Sequence, residues 1–169
     1  MPSTIAQASR QLAPRSFWYQ GLTRRAQKRP VDAWLIEQAN LRGFFGAAVL
    51  PTGASIDPAL ALEEIVIGLL SPHAPMEGRA LKLIVRLLQS GQLDTDRLRL
   101  LAKRERAEPM LHWLLTRIPP EERNPSIEKL RALFASPPRG YRPIQYDYDA
   151  SRLIRRPATR EQLWRARRS

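Results

Sequence analysis

The chain holds 169 residues, 43% of them apolar, with a mean hydropathy of −0.40 and a formal net charge of +12. That is one domain's worth of sequence with enough apolar material for a real core, burying roughly 70% of its unfolded surface. The lack of cysteine excludes disulfides, zinc–thiolate sites and thiol nucleophiles, and no apolar run nears the roughly 20 residues of a bilayer span.

Residues 1–30 carry no Asp or Glu, the first acid being Asp32. They read as a basic, aromatic N-terminal arm with a short helix from Ser16 to about Lys28 and Phe17, Trp18 and Tyr19 near its start. Such an acid-free stretch also has the composition of a transit peptide; an arm on a cytoplasmic protein is preferred here. The next helix is predicted from Val31 to Arg42, with Val31, Trp34, Leu35 and Ala39 on one face. Pro30 suits its first turn and Gly43 its end. "FFGAAVLPTGAS" then reads as an apolar loop or broken helix, punctuated by Gly46, Pro51 and Gly53.

Asp57 and Pro58 form an N-cap and first-turn pair that predicts a helix from there to Leu70, stopped by Ser71–Pro72. Its acidic doublet, Glu63–Glu64, is expected on the one wet face. A second helix runs from about Pro75 to Gln89 along Leu81, Ile84, Val85 and Leu88, and Ser90–Gly91 ends it. A third starts at Asp94 or Thr95 and carries Leu98, Leu101 and Ala102. It continues into "KRERAE" at 103–108, expected to be a solvent-facing end whose acids offset its bases. A fourth, from Pro109 to about Ile118, holds Met110, Leu111, Leu114 and Leu115 until Pro119–Pro120 stops it. The Glu121–Glu122 doublet that follows is expected to be solvated. A fifth begins at Asn124–Pro125 with Ile127, Leu130 and Phe134.

Residues 83–104 and 110–134 each read as an apolar helix, a polar loop, a capped start and a second apolar helix. The fold class is therefore all-α: an antiparallel helical bundle, the preferred form, or a short stack of helical hairpins. Residues 31–135 make up this helical core, flanked by extended basic N- and C-terminal arms.

Beyond it, residues 136–149 read as a Tyr-rich extended strap, in which Ile144, Tyr146 and Tyr148 alternate with Gln145, Asp147 and Asp149. Residues 150–169 read as an Arg-rich helical tail. Asp149 can cap its first piece, Pro157 interrupts, and Thr159 with Gln162 forms a capping box for the last.

Charge follows this division. Residues 57–135 net +1, whereas residues 1–56 net +5 and residues 136–169 net +6. Arginine supplies 24 of the 28 basic residues, and its planar fork suits phosphate, carboxylate and aromatic faces.

Catalytic signals are sparse. His73 lies in a loop and His112 in an apolar helix, where it is expected to pack or hydrogen-bond; neither has a second ligand at helical spacing, so no metal or cofactor is expected. No G-x-S-x-G, P-loop or G-x-G-x-x-G occurs. Neighbouring glutamates on a helix point about 100° apart, so the doublets are not preset carboxylate pairs.

The expected function is a non-catalytic small subunit of a larger nucleoprotein assembly, its arms touching DNA or RNA backbone without strong sequence specificity. The expected contacts are Arg24, Arg25, Lys28 and Arg29, with Arg155, Arg156, Arg165, Arg167 and Arg168. Phe17, Trp18, Tyr19, Tyr141, Tyr146, Tyr148 and Trp164 are the expected docking aromatics, stacking on bases or pinning the arms to protein. The alternative is a protein-interaction adaptor whose Arg-rich ends engage acidic protein partners; an anionic membrane surface is the least favoured partner.

Overall fold

A computed structural model describes residues 16–44, 53–71 and 78–137. Among the described residues there are seven α-helices and no strand. They are α1 (Phe17–Arg25), α2 (Val31–Leu41), α3 (Leu62–Leu70), α4 (Gly78–Gln89), α5 (Thr95–Arg104), α6 (Glu108–Arg117) and α7 (Pro125–Leu133), with a 3₁₀ turn at Pro120–Glu122. Among them no helix is long and apolar enough to cross a membrane.

Short polar side chains set three of the helix starts by accepting the free first-turn N–H groups. Ser16 accepts from Tyr19 N–H at 3.1 Å, Asp94 from Asp96 and Arg97 N–H at 3.0 Å each, and Asn124 from Ile127 N–H at 3.0 Å. The Asp57–Pro58 pair does not start α3. Asp57 Oδ1 instead accepts from Ala59 N–H and Asp57 O from Leu60 N–H, closing a turn, and the helix begins four residues later. An Asp before Pro suits a tight turn as well as a cap.

The core is organised around α3. This helix is buried nearly all round from Glu63 to Leu70 and packs against α2, α4 and α5. Tyr19, Leu22 and Ala26 from α1 and its C-terminal turn belong to the same buried cluster as Leu35, Ile67, Leu87, Leu111 and Ile127. The core thus reaches back into the stretch read as the N-terminal arm. The closer helix pairs beyond α3 are α2–α4, α4–α7, α5–α6 and α6–α7. The α4–α5 pair is not among them, so the first repeat-like unit does not close on itself. Side chains link the two units at their loops: Gln89 Nε2 donates to Glu122 O at 2.9 Å, and Asn124 Nδ2 to Gln89 O at 2.7 Å. This helix arrangement fits a bundle.

The Glu63–Glu64 doublet corrects the expected wet face of α3: it is only 5% and 9% exposed. Glu63 accepts from Asp94 N–H at 2.6 Å, at the start of α5, and Glu64 Oε2 from Ala61 N–H at 2.9 Å, at the start of its own helix. Buried carboxylates persist where N–H donors meet them.

Gly68 permits the closest approach to α3. A Cβ there would lie 2.6 Å from Leu35 Cδ1 and 3.2 Å from Leu22 Cδ1, and both leucines are fully buried. Gly68→Val is expected to lower stability by about 1–3 kcal/mol through overpacking, measured as a lower denaturant midpoint at unchanged m-value. A midpoint equal to the parent's would show that α1 and α2 are free to move off α3.

Candidate functional site

The basic residues of the N-terminal stretch divide sharply once folded. Arg25 donates through Nε to Asp57 Oδ2 at 3.0 Å, and its Nη2 lies 2.9 Å from the same oxygen without hydrogen-bond alignment. Its guanidinium also sits 5.7 Å from the Trp34 ring centroid. Arg29 Nη1 spans both oxygens of Glu37 at 2.8 and 2.9 Å. Both arginines are thereby occupied with carboxylates of their own chain. Arg24 and Lys28 are exposed and meet no carboxylate among the described residues, Arg24 lying 5.9 Å from the Phe17 ring centroid. Lys28 follows Gln27 in the left-handed region, at φ values of 69° and 50°, as the chain turns out of α1.

The three N-terminal aromatics separate as well. Tyr19 is buried in the core, while Trp18 is half-buried and donates from Nε1 to Glu64 Oε1 at 3.1 Å. Phe17 is 84% exposed. Two of the three therefore pin α1 to the protein, and one faces outward.

Glu64 is the centre of a polar knot between α1, α3 and α5. Besides Trp18 and Ala61, it has Arg97 Nη2 at 3.8 Å and Arg25 Nη1 at 4.0 Å. Arg104 closes the knot from the α5 side, 6.0 Å from the Trp18 ring centroid, with its Nε 2.9 Å from Glu105 Oε1. The adjoining loop is tied down by Gln38, which donates to Ser55 O at 2.9 Å and accepts from Asp57 N–H at 2.7 Å. Arg42 Nη2 donates to Asp57 O at 2.8 Å and Leu60 O at 2.9 Å. Burial draws the Arg42 guanidinium below its ordinary pKa, Asp57 opposing that shift and Arg25 adding to it.

The "KRERAE" stretch is a solvent-facing end as expected for its bases, but not for Glu105. Glu105 turns inward and is buried beside Arg104, while Lys103, Arg104 and Arg106 remain exposed. Upstream on α5, Arg97, Arg99 and Leu100 are exposed too, Leu100 at 72%. The signal was present in the sequence. Leu100 falls outside the Leu98–Leu101–Ala102 stripe that the core uses, and Arg99 and Lys103 share a face at i, i+4.

His112 packs as expected, its Nδ1 2.7 Å from Phe134 O. Among the described residues no group of three or more His, Cys, Asp or Glu side chains is placed to hold a metal ion. The expected contacts Arg155, Arg156, Arg165, Arg167 and Arg168 and the aromatics Tyr141, Tyr146, Tyr148 and Trp164 lie outside the described residues, as do His73, most of the strap and the whole tail. No family model, curated protein or solved structure matches the chain.

Proposed function

We propose that the chain is a non-catalytic helical subunit of a larger nucleoprotein assembly, held by protein contacts through its core and by phosphate contacts through its basic ends. The observation that carries this reading is the partition of charge: residues 57–135 are nearly neutral, and almost all of the +12 lies before and after them. Backbone phosphates are the chemistry that an Arg-rich, acid-poor segment recognises with little regard to base sequence. Within the N-terminal stretch the folded protein engages Arg25 and Arg29 internally, so phosphate contact there falls to Arg24 and Lys28. Phe17, exposed beside Arg24, offers a ring on which a base stacks. A cytoplasmic setting and a protein complex around the chain belong to the same proposal.

The test is binding of a 20-nucleotide single strand and the matching duplex to the full chain. A variant with Arg155, Arg156, Arg165, Arg167 and Arg168 replaced by Gln is expected to bind tens of fold more weakly. Its log–log salt slope should flatten by about 3.5 on the single strand and about 4.5 on the duplex. Replacing Arg24 and Lys28 by Gln should flatten the slope by about 2 more, whereas Arg29→Gln should leave it unchanged. An unaltered slope in the first variant would instead favour the adaptor reading, in which the arginines engage acidic protein.

A further inference from the structure

The outward face of α5, separate from the terminal arms, exposes basic and apolar side chains together. At about 100° per residue, positions 96, 99, 100 and 103 fall within an arc of roughly 100°, and Arg97 and Arg104 flank it on the side of α1. Leu98, Leu101 and Ala102 point the other way, into the core. The result is a large aliphatic side chain, Leu100, with Arg97, Arg99, Lys103, Arg104 and one acid, Asp96, at the neighbouring positions of the helix. The side chains of Arg99, Lys103 and Arg106 form no hydrogen bond or ion pair with any described residue. Arg97 and Arg104 are paired with Glu64 and Glu105, so the unmatched cations of this face are Arg99, Lys103 and Arg106, beside the exposed Leu100.

Arg106 sharpens this. The end of α5 is a Schellman turn, with Ala107 N–H bonded to Ala102 O at 2.9 Å and Arg106 N–H to Lys103 O at 3.3 Å. Arg106 occupies its left-handed position at φ 56°, which glycine fills at lower cost and which Gly43 fills in the matching turn after α2. An arginine there adds an exposed cation two residues past the helix.

We propose that this face docks an acidic helical segment of a partner protein, whose carboxylates meet Arg99, Lys103 and Arg106 while one aliphatic side chain covers Leu100. Charge complementarity selects an anionic occupant, and Leu100 selects protein over nucleic acid: a phosphate backbone matches the basic side chains but leaves the leucine uncovered. The proposal rests on the assembly-subunit reading only in needing a protein neighbour. It assigns the contact to α5 and not to the arms.

The experiment uses the full chain and three labelled probes in fluorescence anisotropy at 150 mM salt. The probes are a 14-residue Glu-rich helical peptide with leucines at i, i+4 and i+7, the same peptide with those leucines replaced by serine, and a 14-nucleotide single strand. The parent chain is expected to prefer the leucine peptide over the serine peptide by about tenfold, the effect of burying one leucine-sized contact. Leu100→Ser should reduce that preference to about one while leaving oligonucleotide affinity unchanged, and Arg99→Glu with Lys103→Glu should weaken both peptides. No preference in the parent, or one that survives Leu100→Ser, overturns the proposal, as does an oligonucleotide affinity that falls with Leu100→Ser. A photo-crosslinker in place of Leu100 that reacts only within its own chain overturns it too, by assigning the face to this chain's own sequence. Failure of the assembly-subunit reading shows separately, as absent or salt-insensitive oligonucleotide binding in the parent.

Discussion

Replacing Glu64 by alanine is expected to lower the unfolding free energy by about 3 kcal/mol. The substitution leaves Trp18 Nε1–H and Ala61 N–H, both partly buried, without their acceptor, and each such donor left unpaired costs about 1–3 kcal/mol. Loss of the longer pairs to Arg25 and Arg97 adds little, because both arginines are partly solvated. Glu64→Gln keeps one carbonyl oxygen as acceptor and should cost about half as much. The measurement is urea unfolding, with the change read from the midpoint at constant m-value. If Glu64→Ala unfolds within about 0.5 kcal/mol of the parent, typical of an exposed surface site, Glu64 does not join α1 to α3 and α5 in the way described.

Removing residues 1–30 is expected to abolish cooperative unfolding altogether. The truncation uncovers the surface of α3 beside Gly68 where Leu22 packs, and takes away Tyr19 and Ala26 from the core cluster. Full burial of one large apolar side chain contributes about 1.5–3 kcal/mol, and the Trp18–Glu64 bond goes with them. The sum, roughly 5–7 kcal/mol by that scale, equals the whole stability of a weakly stable domain. A truncated chain that still melts cooperatively within a few degrees of the parent would place α1 outside the cooperative unit. A fragment of residues 57–135 lacks both α1 and α2, so binding must be measured on the full chain.

Local signals were readable from the sequence where the physics is local. Asp94 and Asn124 cap α5 and α7 as their side chains require, Pro119–Pro120 stops α6 after Ile118, and Gly43 takes the left-handed turn after α2. The apolar faces of α2 and α4 followed from spacing, since Val31, Trp34, Leu35, Leu81, Ile84 and Leu88 are all buried. What could not be read depends on partners far along the chain. Glu64 is buried because an indole N–H from 46 residues earlier reaches it, and Glu63 because an amide from 31 residues later does. No pattern inside α3 announces either donor. The split between Arg25 and Arg24 has the same origin: adjacent in sequence, they differ because Asp57 lies beside only one of them. Charge counting along a chain sees two equal arginines, and folding leaves one of them without a carboxylate. The α5 face lay between these cases. Its residues were visible, but the inward turn of Glu105, which engages Arg104 and leaves Lys103 and Arg106 without a carboxylate among the described residues, is a tertiary event.

The most direct test of the proposed function is the affinity of the full chain for a 20-nucleotide strand at 50 and at 200 mM salt. With the five tail arginines on phosphates, the affinity should fall by roughly a hundred-fold across that range. Binding that is absent at 50 mM, or that changes by less than about tenfold, would contradict phosphate contact by the arms and assign the terminal arginines to an acidic protein surface.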